Sequence, residues 1–267
     1  MLRSANELIG YKLSALDQIV GSCKDFLFDD RWWTIRHMLA DTGGWLIGQK
    51  VLISPMSITK QDWKTRHIYL NITKEQIEKC PSPSEDETVS RAHERKISQY
   101  YRIPYYWVDS GLWGGTAYPE EMDREISKMI PHSQQEESDE EGENHLRSLK
   151  EVTGYYIKAN DGNIGHVEEF IMDEKTWALR YVVVDTRNWL PGGKKVLLPL
   201  KWAKSVSWAN TEFEINLNKA DIENGPEFDS KKPITIEYEA QIYDYYGRPF
   251  EVSIDKTTQQ HIANPFV

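Results

Sequence analysis

The sequence predicts a mainly β protein with short helices: two tandemly duplicated small antiparallel β-barrels, each with a helical C-terminal extension. Three observations lead there. The chain repeats itself at a shift of 144 residues, each copy carries short apolar runs separated by turn residues, and a helical period follows the last run.

The repeat comes first because it sets the organisation. Leu2-Arg3-Ser4 falls on Leu146-Arg147-Ser148, Gly10-Tyr11 on Gly154-Tyr155, Asp29 on Asp173, Trp33 on Trp177, and Arg36 on Arg180. Without a gap, 17 of the 45 positions from Leu2 to Leu46 are identical to their counterparts. At a shift of 145 the match continues through Trp63 and Trp208, Lys74 and Lys219, Tyr100-Tyr101 and Tyr245-Tyr246, and Pro104 and Pro249. A unit this long is a small domain rather than a solenoid repeat. The expected divisions are 1–118, 119–145 and 146–267. The middle piece holds a candidate short helix over 122–130 and an acidic run, residues 134–143, with no apolar side chain to bury.

Within the second copy, residues 152–159 form an apolar-rich run, and Asn160-Asp161-Gly162-Asn163 supplies a turn. Residues 164–172 alternate loosely, and Asp173-Glu174-Lys175-Thr176 turns the chain again. Tyr181-Val182-Val183-Val184 has the β-branched content of a buried strand. Three short strands follow at 196–199, 205–208 and 213–217. Helical turns come next, at Asn218–Ile222 and, in the first copy, at Thr73-Lys74-Glu75-Gln76, which has capping-box form. A longer helix is expected over 236–246, with Gly247 and Pro249 beyond its end, and over 92–101 in the first copy. The tyrosine pairs are expected to pack on the barrels.

Composition narrows the function classes. A net charge of −10 argues against nucleic acid as a partner, and two cysteines cannot build a disulfide framework. Neither a secretory leader nor a membrane span is legible, so a cytoplasmic protein is expected. No nucleophile elbow, phosphate loop, H-E-x-x-H or G-x-G-x-x-G occurs, and no two histidines have metal-ligand spacing. No enzyme activity, cofactor or metal is therefore expected. Cys23 falls opposite Val167 and reads as a buried hydrophobe.

Two sets of residues stand out. Asp-Thr-x-x-Trp-Leu occurs twice, at 41–46 and 185–190, in a loop between strands. Asp41, Trp45, Asp185 and Trp189 read either as a partner contact or as barrel plugs with an Asp-capped turn. Arg36 and Arg180 read as ion pairs with Asp41 and Asp185, or, with His37, as a ligand set between the barrels. His67 and His93 are further polar groups to seek there.

The order Leu146-Arg147-Ser148, Gly154, Asp161-Gly162-x-Ile164-Gly165-x-Val167-x-x-Phe170, Asp173, Trp177, Arg180 to Val184 and Val196-Leu197-Leu198-Pro199 resembles the PRC-barrel domain. That domain occurs in the H subunit of photosynthetic reaction centres and in a ribosome maturation factor. The first copy keeps much of the pattern but has Gln18-Ile19 at the glycine turn and His37-Met38-Leu39-Ala40 in place of the valine run. The resemblance implies a binding or assembly module without a shared catalytic site. Its partner would be a protein, with a homodimer or an intramolecular pairing of the repeats. Alternatives are a peripheral role in a membrane-bound electron-transfer complex, a small-ligand binder or enzyme with its site between the barrels, and an RNA-associated assembly factor.

Overall fold

The computed structural model describes residues 1–47, 50–84, 88–107, 112–113, 116–121, 146–187, 189 and 192–250. The first repeat forms β1 (Leu2–Ser4), β2 (Lys12–Ser14), β3 (Ile19–Asp29), β4 (Thr34–Asp41), β5 (Val51–Ile53), β6 (Ile58–Asp62) and β7 (His67–Leu70). Helices α1 (Lys74–Glu78) and α2 (Arg91–Tyr101) follow. The second repeat gives β8 (Leu146–Ser148), α3 (Leu149–Val152), β9 (Tyr156–Ala159), β10 (Gly162–Asp173), β11 (Leu179–Asp185) and β12 (Lys195–Pro199). It ends with β13 (Ala203–Ser207), β14 (Glu212–Ile215), α4 (Lys219–Asn224) and α5 (Ile236–Tyr245). The expected helix over 122–130, the acidic run and Leu190 lie outside the described residues.

These strands make two seven-stranded sheets, ordered β5-β4-β3-β2-β7-β6 and β12-β11-β10-β9-β14-β13, each with one further strand. Both are open paths; neither closes into a barrel among the described residues. Consecutive strands β5 and β6 are separated by a 3-10 turn at Pro55–Ser57, and β12 and β13 by another at Leu200–Trp202. Such turns use backbone groups within the turn itself rather than in a ladder.

The seventh strand of each sheet comes from the other repeat. Leu2, Arg3 and Ser4 of β1 face Asp173, Met172 and Ile171 of β10, while Leu146, Arg147 and Ser148 of β8 face Asp29, Phe28 and Leu27 of β3. The exchange is reciprocal and occupies the same positions in both directions. Between them, the antiparallel bridge Thr34–Ala178 joins two positions that are themselves counterparts, so a local twofold axis passes there. Leu179 N–H donates to the Trp33 carbonyl at 2.6 Å and Ile35 N–H to the Trp177 carbonyl at 2.9 Å.

Side chains repeat the exchange. Arg3 pairs with Glu174 at 3.1 Å and stacks over Trp63 of its own repeat at 4.2 Å. Arg147 pairs with Asp30 at 3.1 Å and stacks over Trp208 at 4.1 Å. The Ser4 hydroxyl donates to Glu169, and the Ser148 hydroxyl donates to Asp25 at 2.5 Å. Asp29 and Asp173 each accept two backbone N–H groups of their hairpin turns, which places Trp33 and Trp177 in the left-handed region at φ of 50° and 58°. Trp33 then packs on Phe213 of the second repeat and Trp177 on Phe26 of the first, at 5.5 and 6.0 Å. One buried cluster therefore runs through both repeats.

Smaller features follow from the chain itself. Gly21 and Gly165 allow a close backbone crossing; a Cβ there would lie 2.1 and 2.4 Å from the carbonyls of Asp41 and Asp185. The repeated Asp17 and Asp161 accept the N–H of Lys74 and Lys219, tying each first hairpin to the following helix. Thr73 and Gln76 form the expected capping box.

Candidate functional site

The two Asp-Thr-x-x-Trp-Leu loops leave equivalent strands, β4 and β11, yet their side chains settle differently. Asp41 is exposed and its carboxylate accepts Gly43 N–H at 2.9 Å. Trp45 is half-buried: its indole N–H donates to the Val20 carbonyl at 3.0 Å, and the Lys74 ammonium sits 4.6 Å over its ring. In the second loop Asp185 is buried and accepts the Arg187 backbone N–H and guanidinium, each at 2.9 Å. The Arg187 hydrogen bonds hold its carboxyl below the usual aspartate range. Trp189 is 40% exposed, with its ring edge-on to Tyr156, itself 46% exposed, at 5.7 Å. Trp45 thus packs half-buried against the core, whereas Trp189 and Tyr156 form an open aromatic pair.

The expected pairs Arg36–Asp41 and Arg180–Asp185 do not form. Five residues of strand span about 16 Å, more than an arginine and an aspartate side chain bridge together, and a bulge at each arginine also breaks the alternation of faces. Arg36 instead reaches across the β3–β4 hairpin to Asp29 at 3.4 Å, and Asp185 takes Arg187. Arg180 is half-buried on β11 and takes no part in the Arg36 network.

That network is the buried polar centre of the first repeat. The Arg36 guanidinium is fully buried, lies 3.9 Å over the Tyr106 ring and 5.1 Å from Trp113, and donates to the Leu112 carbonyl. Burial pulls its pKa down, against the favourable charges of Tyr106 and Asp29. The Tyr106 hydroxyl donates to Glu94 at 2.7 Å and accepts from Arg91 at 2.8 Å; burial, and then Glu94, push its pKa well above the usual tyrosine value. Glu94 completes the set with Arg91 at 2.8 Å and His37 Nε2 at 3.2 Å. The sequence reading missed Tyr106 and Glu94. For Glu94 the sequence offered its alignment with Glu239 at the shift of 145; in the structure Tyr181, the counterpart of His37, donates to Glu239. Trp113 touches this network and donates its indole N–H to the Thr176 carbonyl at 2.7 Å, so Arg36 does sit by the junction of the repeats. His67 pairs with Ser14 at 2.9 Å, and His93 belongs to the cap of α2.

A groove of about 510 Å³ runs along the exchanged strand β8. Leu27, Leu39, Val89, Leu146 and Trp208 give it apolar walls, and Asp25, Arg147 and Glu151 also line it. The sequence reading did not foresee it, because it exists only where β8 crosses onto the first repeat.

Burial pushes the thiols of Cys23 and Cys80 upward, away from thiolate. Among the described residues no group of three or more His, Cys, Asp or Glu is placed to hold a metal ion. Among the described residues no helix is long and apolar enough to cross a membrane.

Residues 148–222 match the PRC-barrel domain. The PRC-barrel match runs from the last residue of β8 into α4, so it covers the strands of the second repeat and the Asp185–Trp189 loop. No curated protein matches the chain.

Proposed function

We propose that this protein is a non-enzymatic interaction or assembly module built from two PRC-barrel units, residues 1–118 and 146–267, joined by 119–145. The PRC-barrel match lies in the second unit. The case for the first rests on its 17 identities over 45 positions and on its matching strand order. The observation that carries the interaction reading is the exposed pair of Trp189, in the loop after β11, and Tyr156, on β9, two large aromatics side by side. Tryptophan and tyrosine are the side chains that dominate protein contacts.

The test is affinity capture with the intact chain from native lysate, followed by binding of each captured protein in purified form. The double variant Trp189→Ala/Tyr156→Ala should keep its melting temperature within a few degrees and lose the partner by about tenfold or more. A partner retained equally by the folded variant removes this surface from the reading. No specific protein captured by either form removes the interaction reading itself.

A further inference from the structure

The duplication supplies an internal control for the open pair Trp189 and Tyr156. In the first repeat the equivalent tryptophan, Trp45, already carries a cation: the Lys74 ammonium sits 4.6 Å over its ring. Lys74 begins α1, and its backbone N–H donates to Asp17. Its counterpart Lys219 begins α4, with its N–H donating to Asp161 in the same way. The two lysine side chains then part. Lys219 runs along the bare backbone of Gly162, where a Cβ would lie 3.7 Å from its Nζ and 3.8 Å from its Cδ; Gln18 stands at that position in the first repeat. The lysine that covers Trp45 therefore has a different seat in the second repeat, and Trp189 turns outward to Tyr156.

The sheet face beside the pair has changed sign as well. Tyr156 and Lys158 of β9 lie opposite Glu212 and Glu214 of β14, and residues opposite one another share a face. Their counterparts are Lys12, Ser14, His67 and Tyr69, in the same pairing of β2 with β7. With histidine neutral, these four positions carry one net positive charge in the first repeat and one net negative charge in the second. The first repeat builds the same strands with Lys12 and His67, so the fold requires neither the Tyr156 ring nor the Glu212 carboxylate.

The cations already nearby are held by carboxylates. The Lys158 ammonium is shared between Glu212 at 2.9 Å and Glu214 at 3.1 Å, one positive charge against two negative ones. Arg187, in the Trp189 loop, is clamped on both carboxylate oxygens of Asp185. His166 lies opposite Tyr156 on β10. The two rings meet at 74°, nearly perpendicular walls whose faces carry the negative side of the aromatic quadrupole.

We propose that Trp189 and Tyr156 receive a lysine side chain of the protein partner, its ammonium lying over the indole as Lys74 lies over Trp45. This rests on the reading of the pair as a partner contact and names what the partner brings to it. The aliphatic stem of a lysine covers the rings while its charged head stays wet, and the ring faces attract the ammonium. The carboxylate charge that Lys158 leaves uncompensated favours the same sign, as does the net charge of −10. A purely apolar anchor would instead cover Glu212 without compensating it, which costs free energy.

The experiment uses the intact chain on arrays of short degenerate peptides whose central residue is fixed as lysine, arginine, norleucine or glutamate. The best lysine peptide is then titrated in solution against its norleucine analogue. The lysine pool should be preferred, and lysine should bind about fivefold more tightly than norleucine, the worth of a cation–π contact at an exposed site. Tyr156→Lys and Glu212→His install residues that the first repeat already folds with. Each of them, and Trp189→Leu, should cut the difference to less than about twofold at an unchanged melting temperature. Should one of the three lower the melting temperature, the other two decide. Preference for the arginine, norleucine or glutamate pool, lost in the variants, overturns the lysine and leaves the partner contact standing. An undiminished preference for lysine in the folded variants places the cation elsewhere on this acidic chain and overturns the proposal. So does the absence of binding to any pool at about 1 mM; the contact itself is then judged by whether Trp189→Ala/Tyr156→Ala loses a captured partner.

Discussion

Phe28→Ala tests whether the two repeats are one folding unit. Phe28 is fully buried, stacks on Trp33 at 5.5 Å and meets Phe170 of the second repeat at 5.8 Å. Its backbone also lies opposite Arg147 of the exchanged strand β8. Truncating a buried phenylalanine costs about 3–5 kcal/mol, against a total stability of about 5–15 kcal/mol. For a chain of this size the melting temperature should fall by roughly 6–20 °C. The assay is urea and thermal unfolding followed in parallel by tryptophan fluorescence and far-ultraviolet circular dichroism, with hydrogen exchange resolving the repeats. Both repeats should lose stability together in one coincident transition, because Trp33 sits against Phe213 and each sheet borrows a strand. Two separated transitions, with only the first repeat shifted, would refute the reasoning: the exchanged strands would then contribute little.

Other consequences follow from the same geometry. Glu94→Gln removes the charge that compensates Arg91 and, through Tyr106, the network of Arg36; denaturant midpoints should report a loss of about 3–5 kcal/mol. Glu239→Gln, at the half-buried counterpart, should stay within about 1 kcal/mol. Trp45→Ala should lower stability by about 2 kcal/mol, since the ring is half-buried and its N–H is bonded, while Trp189→Ala should change it by less than about 1 kcal/mol. The Arg187 hydrogen bonds lower the folded pKa of Asp185. Its stabilisation is therefore complete above the usual value of about 3.9 and lost as pH falls through the lower folded value. Acid titration of Asp185→Asn should show a shallower loss below about pH 4. Glu169 runs the other way. Burial raises its pKa, so the folded state holds the proton more tightly and stability drops as pH rises through that value; Glu169→Gln should remove that drop.

Much of the fold was legible because it is local. The repeat, the β-branched run at 181–184, the turn at Asn160-Asp161 and the capping box at Thr73 and Gln76 each depend on neighbours in the chain, and each appears in the structure. The site was less legible. Asp41 and Asp185 lie within five residues of Arg36 and Arg180, but an extended strand holds them about 16 Å apart, and Arg36 found Asp29 across a hairpin instead. Two loops with one pattern diverged because Gly43 and Gly44 replace Arg187 and Asn188: only the second loop has a guanidinium to pair with its aspartate.

What the sequence alone determined is therefore the unit: its length, its strands, its turns and caps, and the fact that there are two of it. The reciprocal exchange was decided by tertiary structure. Leu-Arg-Ser is the same three-residue strand whether it lies on its own sheet or on the other one, and no local pattern separates the two. The choice rests on contacts that exist only once both repeats are folded together. Arg3 and Arg147 span Trp63 and Trp208 on one side and Glu174 and Asp30 on the other, and the turn tryptophans cross into opposite cores. The ion pairs and the turn-tryptophan contacts join residues more than a hundred positions apart, so their energy appears in the packing and not in the local sequence pattern.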